Sequence, residues 1–365
     1  MMLLQDKHTP YETIIRKKRT FIVLMMTLSM LMLVSIVIAV SMGSVKIPPL
    51  EAYQIILYKI FQVNMSDIAE KASASHMDII WQLRLPRVLM AVIVGAGLAM
   101  CGTVMQASVQ NPLAEPYILG IASGASLGAT FSILIGGLTG IFWATGTAFW
   151  AFLGALAASL VVMFLAGIGG SLSTVKMVLA GAVTSALFSA ISNFIVYIAN
   201  DAEGIRTITF WTMGSLAAAK WNNLALPAFG VIFCCLFFLF QSRSLNALLL
   251  GEEAAITLGI DLTKVRRIYM VITAFMTGII VASCGIFGFV GLVIPHLVRG
   301  MVGSDHRRVM PCTLLIGAIF MIWADVLSRI ILKSGDLPIG IITAVIGAPF
   351  FMYMLFKQSL KFGNN

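Results

Sequence analysis

Long apolar runs separated by short charged segments dominate the chain. The first run, residues 21–43, has roughly 23 residues, enough to cross a bilayer at about 1.5 Å of helical rise per residue. Residues 116–175 contain no charged side chain, and this stretch is long enough for more than one crossing of roughly 20 residues. Together the runs predict an all-α membrane protein with about ten transmembrane helices, near residues 21–43, 88–108, 116–136, 142–167, 175–199, 224–240, 267–284, 288–301, 311–331 and 339–357.

The placement of lysine and arginine sets the expected orientation. Residues 1–20 are polar and basic, and the apolar run that follows is too long for a signal peptide, whose apolar stretch has about 7–15 residues. With this segment inside, the cytoplasmic segments hold roughly 15 of the 24 basic residues, as the positive-inside rule requires. We therefore expect both termini in the cytoplasm, with an N-terminal segment 1–20, a transmembrane domain 21–357 and a tail 358–365.

Composition excludes a soluble protein. The chain is 59% hydrophobic and 11% charged, against roughly 45–50% and about 25% in soluble domains. The net charge of +9 is assigned to membrane orientation, because no basic stretch carries the interleaved aromatics of a nucleic-acid groove. The cysteines lack metal-ligand spacing and are interpreted as core residues: Cys101, Cys234, Cys235, Cys284 and Cys312.

No set of residues suited to catalysis emerges from the sequence. H-E-x-x-H and C-x-x-C are absent, and neither catalytic residues nor a metal site is predicted. The phosphate loop G-x-x-x-x-G-K-[ST] is also missing. The sequence thus predicts a membrane channel or carrier, and any ATP used in transport must be bound by another chain.

Four segments interrupt the apolar pattern with prolines or charges: 82–87, 111–116, 244–261 and 288–299. Each proline inside a helix leaves a carbonyl without its usual donor. Irregular backbone at membrane depth is tolerated only inside protein or beside a water-filled cavity. These breaks therefore indicate a translocation pathway.

The inner loop 244–261 predicts two short helices. One face of the first carries Leu245, Leu248 and Leu249. Gly251 offers a stop, Glu252 and Glu253 suit the positive end of a second helix, and Gly259 closes it. The loop is interpreted as a docking knob for a cytoplasmic partner. The alternative is a loop packed on lipid headgroups, which adjacent glutamates disfavour because anionic lipid repels them.

Seven fragments, in order and spread from Trp81 to Lys357, resemble the permease subunits of iron-siderophore, haem and cobalamin ABC importers, the FecCD-type family of type II importers. The fragments are Arg84–Arg87, Asn111–Pro116, Leu249–Glu252, Gly291–His296, Ala324-Asp325, Leu337–Gly340 and Gly347–Pro349.

The resemblance implies an architecture and a set of partners. Such permeases are ten-helix subunits of the bacterial cytoplasmic membrane that pair as dimers around a central pathway. Two cytoplasmic subunits bind ATP and Mg, so this chain itself needs no cofactor and is not an enzyme. An extracytoplasmic binding protein delivers the metal complex. The second permease copy is expected to be identical rather than a paralogue, and no nucleic acid is involved.

The resemblance also implies roles for individual residues. Those matching the coupling surface for the ATPase subunit are Leu249, Gly251, Glu252, Ala255, Leu258 and Gly259. Those matching the cytoplasmic gate are Asn111, Leu113, Thr174 and Val175. Those matching the docking site for the binding protein are Arg84, Arg87 and Arg329. Val175 stands where cobalamin relatives carry a hydroxyl residue, which favours an iron chelate over cobalamin.

The outer arginines also have a local interpretation. Arg84 and Arg87 are expected just outside the second helix, where Arg87 would reach lipid headgroups. Arg329 would pair with Asp325 one turn earlier.

Two other classes of function were weighed. An ion-coupled secondary transporter usually carries ionisable residues near the bilayer midplane. Here Asp325 and Arg329 are spaced to neutralise each other. A membrane-embedded hydrolase would need a nucleophile–base pair or a metal set, and the sequence offers neither.

Overall fold

The structure, a computed structural model, describes residues 10–61, 74–136, 146–168, 173–332 and 335–362. Within these ranges the backbone is mostly α-helical. The helices are α1 (Pro10–Ser41), α2 (Pro49–Phe61), α3 (Ala74–Ser108), α4 (Ile121–Gly136), α5 (Gly146–Gly167), α6 (Thr174–Ala199), α7 (Ala202–Thr212), α8 (Trp221–Phe240), α9 (Ser242–Leu248), α10 (Glu252–Thr257), α11 (Leu262–Cys284), α12 (Val290–Val302), α13 (His306–Ile330) and α14 (Ile339–Phe362).

Seven helices of the described part are long and apolar enough to cross a membrane: α1, α3, α5, α6, α8, α11 and α13. Three shorter apolar segments accompany them, namely α4, α12 and the first part of α14, Ile339–Met354. A helix therefore lies at each apolar run that the sequence pattern predicts. The protein is a multi-pass membrane protein.

The third helix is longer than predicted. It begins at Ala74 instead of residue 88 and contains a π-helical turn, Ile79–Arg84. Pro86 lies two residues after this turn. Because proline has no N–H to donate to the preceding turn, the wider turn coincides with a break in the regular hydrogen bonding. The prediction that Arg84 and Arg87 lie outside this helix is wrong. Both lie inside it, because carbonyl and carboxylate oxygens of the same chain accept hydrogen bonds from their guanidinium groups.

Two helices were missed by the sequence pattern. In α2 the charges Glu51 and Lys59 interrupt the apolar run, yet Ala52 and Ile55 are buried. The second missed helix, the amphipathic α7, begins after the cap Asp201, whose Oδ1 accepts from the backbone N–H of Glu203 at 3.1 Å. Short amphipathic helices bury too little apolar surface to be distinguished from loops by hydropathy alone.

Glycines let the helices touch through their backbones around α3. A Cβ atom added to Gly95 would lie 2.2 Å from the carbonyl oxygen of Gly317, in α13. One added to Gly102 would lie 1.8 Å from the carbonyl oxygen of Gly291, in α12. Such close approach is how helices pack in lipid, where no hydrophobic force drives them together. These glycines therefore have a packing role.

Burial separates the central helices from the peripheral ones. In α3, 78% of the apolar window is buried inside the subunit, whereas in α1 the share is 11% and in α6 it is 22%. The helix α3 is therefore the core of the subunit. Helices α1 and α6 leave most of their surface to lipid, water or another chain.

Candidate functional site

The inner loop folds as predicted into two short helices, α9 and α10, joined at Gly251. Gly251 has φ +102° and ψ 162°, a region open essentially to glycine alone. Gly259, after α10, has φ +81°. No heavy atom lies within 4 Å of a Cβ built on either residue. Glycine is therefore required at both positions by backbone conformation and not by lack of space.

The two helices divide their apolar residues between an anchor and an exposed knob. Leu245, Leu248 and Ala255 are fully buried. Leu249 is 43% exposed, because α9 ends at Leu248 and the chain turns away. The prediction that it lies on one helical face with Leu245 and Leu248 is wrong. The exposed apolar side chains are Leu249, Leu250, Ile256 and Leu258. An apolar patch on a rigid hairpin is typical of a protein-docking surface.

Glu252 holds this hairpin to the helix bundle. Its Oε1 accepts from Nη2 of Arg266 at 2.7 Å, while Nε of Arg266 donates to the carbonyl oxygen of Ser108 at 3.0 Å. Arg266 is fully buried, and cations are favourable near the terminal carbonyls of a helix such as α3. The sequence pattern did not identify Arg266, since its partners are distant along the chain.

The predicted gate residues lie at two chain turns that rest on one apolar cluster. Oδ1 of Asn111 accepts from the N–H of Leu113 at 2.9 Å, a local turn typical of asparagine. Thr174 is the first residue of α6, and Val175 is 66% exposed. The buried neighbours Val109, Ala114 and Met177 of these turns belong to one hydrophobic cluster. Leu172, two residues before Thr174, lies outside the described residues.

A non-helical segment joins α11 to α12, and the polar break 111–116 supports it. Phe289 has φ +69°, and its N–H donates to Oε1 of Glu115 at 2.9 Å. The hydroxyl of Tyr117 donates to the carbonyl oxygen of Phe287 at 3.2 Å. These bonds satisfy backbone groups that would otherwise be unpaired within the apolar bundle. Two of the predicted breaks therefore meet in space.

A cavity of about 410 Å³ connects the hairpin of α9 and α10, named the coupling hairpin after its predicted role, to this region. It is lined by Gln106, Gln110, Pro112, Leu249, Leu250, Gly251, Arg299 and Ser304. Nη1 of Arg299 donates to Oε1 of Gln106. Nε2 of Gln106 in turn donates to the carbonyl oxygens of Gly291 and Leu292, at 3.3 and 3.2 Å. Nε2 of Gln110 donates to the carbonyl oxygen of Leu248 at 2.7 Å. Polar contacts thus run from the hairpin through α3 to the start of α12.

Arg84 and Arg329 cap the end of α1. Nη1 of Arg84 donates to the carbonyl oxygens of Val40 and Ser41 at 3.0 and 2.8 Å, and its Nη2 donates to that of Val45 at 2.6 Å. Arg329 donates to the carbonyl oxygens of Met42 and Ala39 at 2.8 and 3.0 Å. Terminal helix carbonyls lack intrahelical donors and attract cations.

Arg87 and Arg329 share one buried carboxylate. Nε of Arg87 donates to Oδ1 of Asp325 at 2.6 Å, and Nε of Arg329 lies 3.1 Å from Oδ2 of Asp325. Arg87 also pairs with Asp336 at 2.5 Å. The predicted pairing of Arg329 with Asp325 is confirmed. The alternative in which Arg87 reaches lipid headgroups is wrong, because its side chain is 10% exposed and paired inside the subunit.

These contacts define a cluster at the end of the bundle that is predicted to face outward. It is named the outer cluster and is formed by Arg84, Arg87, Asp325, Arg329 and Asp336. The three arginines are 7–8% exposed, whereas the side chain of Asp336 is 35% exposed and forms the rim. The docking role of the arginines stays a prediction. In the described structure their guanidinium groups are engaged within the chain.

Among the described residues, no three His, Cys, Asp or Glu side chains gather in an arrangement that could hold a metal ion. The cysteines are buried and unpaired by disulfides.

Comparison with known proteins identifies the family. Residues 31–357 match the model of the FecCD transport family. A vitamin B12 import system permease protein of Citrobacter koseri is 40% identical over 283 residues, covering 76% of this chain and 83% of its own length. A hemin transport system permease protein of Yersinia pestis is 37% identical over 292 residues, covering 78% and 86%.

A solved structure shares the fold. That structure shows an inward-facing conformation of a transporter assigned to the metal-chelate ABC type. The solved chain is 32% identical to this chain, and the TM-score is 0.78. The match covers 92% of this chain and 99% of the solved one. The chain belongs to the FecCD transport family of ABC transporter permeases.

Proposed function

We propose that the chain is the membrane-spanning subunit of an ABC importer that takes up an iron chelate, a ferric siderophore or haem, across a bacterial cytoplasmic membrane. In this proposal ten helices cross the bilayer with both termini inside. Two identical copies enclose the pathway, two partner subunits bind ATP and Mg, and an extracytoplasmic binding protein delivers the cargo. The chain itself carries no cofactor.

One observation carries the proposal of a shared pathway: α6 exposes two different faces. Ala182, Ala186, Ser189 and Asn193 recur at helical spacing and are exposed. The neighbouring exposed face carries large apolar side chains, among them Val183, Leu187, Ile191 and Phe194. A small and polar stripe along a membrane helix is unfavourable against lipid. Water in a pathway, or the same stripe of a second copy, would cover it favourably.

The gate prediction fits the same stripe. Val175 precedes Ala182 by two helical turns and therefore lies on the same face of α6. The apolar Val175, 66% exposed, would then narrow the inner end of a pathway whose middle is lined by Ser189 and Asn193. Leu113, 41% exposed at the neighbouring turn, supplies a second apolar side chain for such a constriction.

The choice of an iron chelate rests on two supports. The solved relative of metal-chelate type matches nearly its whole length. The stripe holds no charged side chain, as expected when a bulky chelated metal passes without direct coordination. Cobalamin is the second candidate substrate, because the vitamin B12 permease protein is 40% identical to this chain over 83% of its own length.

The test is uptake into vesicles containing the chain, its ATP-binding partner and its binding protein. We expect uptake of a labelled ferric siderophore or haem that requires ATP inside the compartment equivalent to the cytoplasm. Uptake of cobalamin alone would contradict the assigned substrate. Uptake driven by an ion gradient without ATP would instead favour a secondary transporter and overturn the importer.

A further inference from the structure

A second cavity, of about 490 Å³, lies between the inner end of α1 and the junction of α12 with α13. Its size falls within the range of roughly 300–1,000 Å³ typical of small-molecule sites. One wall carries the guanidinium groups of Arg16 and Arg308, and the other walls are mainly apolar, formed by Phe21, Leu24, Met301 and Val302. One side of the cavity is therefore basic and the other is apolar.

The arginines of this cavity form no close ion pair among the described residues. Neither Arg16 nor Arg308 has a described carboxylate within ion-pair distance, and Arg308 lies 6.0 Å above the ring of Phe21. The carboxylate that faces Arg308 is Asp305. Its Oδ1 already accepts from Nδ2 of Asn246 at 2.7 Å and from the N–H of Arg307 at 3.0 Å. Within the described residues, a ligand therefore has no close ion pair to displace from either guanidinium group.

The position of the cavity indicates the source of that ligand. The N–H of His306, beside the cavity, donates to Oδ1 of Asn246 in α9, so the cavity and the coupling hairpin lie at the same end of the bundle. One wall belongs to α1, which buries little of its surface in the subunit, and Met301 is 57% exposed. With the orientation proposed above, the cavity opens to the inner leaflet, where anionic lipids concentrate.

We infer that this cavity, the α1–α12–α13 pocket, binds one anionic phospholipid. The phosphate accepts hydrogen bonds from Arg16 and Arg308, and an acyl chain lies along Phe21 and Leu24. Basic pockets between helices on the cytoplasmic side are suited to such headgroups. A free anion would satisfy the arginines but would leave the apolar walls without a partner.

The experiment titrates the purified full-length chain in detergent with phosphatidylglycerol or with phosphatidylcholine of the same acyl chains, and counts bound lipids by native mass spectrometry. We expect phosphatidylglycerol to bind at least roughly tenfold more tightly than phosphatidylcholine. The double variant Arg16→Gln/Arg308→Gln should lose roughly 10- to 30-fold in affinity for phosphatidylglycerol, as removal of two surface cations predicts.

A matched control removes the same charge elsewhere at the same end of the protein. Lys264 and Arg267 are exposed on the first turns of α11 and do not line the cavity. The variant Lys264→Gln/Arg267→Gln should bind phosphatidylglycerol like the wild type. The variant Val302→Trp, which fills the apolar side and keeps both arginines, should weaken lipid binding without changing the binding of glycerol 3-phosphate.

Three results would overturn the inference. They are equal affinities of the two lipids, unchanged phosphatidylglycerol binding by Arg16→Gln/Arg308→Gln, and displacement of phosphatidylglycerol by an equal concentration of glycerol 3-phosphate, which would indicate a site for free anions. Because the titration involves no transport, it stands or falls independently of the proposed importer.

Discussion

Gly251 determines the shape of the coupling hairpin through a single pair of backbone angles. Its φ of +102° is a conformation that a β-branched residue adopts only at a cost of about 1–3 kcal/mol. We predict that Gly251→Val changes the angle between α9 and α10 and uncouples ATP hydrolysis from transport while the two copies still assemble. The control is Gly167→Val, since Gly167 also has open space around its Cβ position but no positive φ. Wild-type coupling of Gly251→Val in vesicles would contradict the prediction.

Glu252 is a residue whose role changes once its partner is known. Replacement by lysine would place a cation against Arg266, which is fully buried. Leaving a buried polar group without its acceptor costs about 1–3 kcal/mol. We predict that Glu252→Lys lowers the melting temperature and uncouples hydrolysis, whereas Glu253→Lys, one residue away on the exposed side of α10, leaves both unchanged. Equal melting temperatures of the two variants would exclude an anchoring role for this ion pair.

Residue-level predictions from sequence succeeded where the cause is local. The turn at Gly251 and the acidic start of α10 follow from neighbouring residues. Arg266 could not be found in that way, because Ser108 is 158 positions away and only folding brings the two together. The outer arginines show the same limit: charge statistics placed them outside a helix, while carbonyls of α1 and the carboxylate of Asp325 allow them to be buried.

At the scale of elements, the length of the apolar runs correctly predicted where helices lie. The reason is that a chain segment in lipid must satisfy its own backbone hydrogen bonds, which a helix does. The amphipathic α2 and α7 escaped detection, since their burial depends on neighbours. The sequence could not separate the two exposed faces of α6 either. Both faces are apolar or small in composition, and only the buried side of α6, with Met177, Thr184 and Phe188, fixes which residues point outward.

The faces of α6 give a cross-linking prediction. In a cysteine-free background, Asn193→Cys and Val175→Cys should form disulfides between two copies in at least one nucleotide state. Ile191→Cys is the matched control, because it lies at nearly the same depth as position 193 on the other exposed face. Cysteines at Leu113 and Thr174 test the gate itself in the same way. Cross-linking through position 191 in preference to 193 would reverse the assignment of the two faces.

At the scale of the whole molecule, the outer cluster joins α1, α3 and α13 at one end of the bundle. Reversing the charges with Arg84→Glu/Arg87→Glu removes donors from three carbonyls of the α1 end and from two carboxylates. We predict a clear loss of thermal stability in addition to loss of binding-protein-dependent transport. Lys46→Glu, an exposed reversal on the same side, should lower neither. Unchanged melting of the double variant would show that the cluster is not structural.

Docking itself needs a separate measurement at this scale. Folded Arg87→Gln protein should retain less binding protein in a pull-down, and the difference should shrink as salt is raised, since charge-assisted encounter is screened. Retention equal to the wild type at low salt would remove Arg87 from the docking surface.

The continuity of α3 has a consequence for communication across the membrane. Its stretch Leu85–Ser108 has 24 residues and extends for about 36 Å, from the outer cluster at one end to Gln106 and Ser108 beside the coupling hairpin at the other. A change in the tilt of this helix displaces side chains at both of its ends. By thermodynamic linkage, the effect of one end on binding at the other is reciprocal. Suppose that nucleotide binding on the cytoplasmic side favours one tilt. Nucleotide then changes the affinity for the external binding protein by some factor, and the binding protein must change the affinity for nucleotide by the same factor. The external face would then report the energetic state of the cytoplasm.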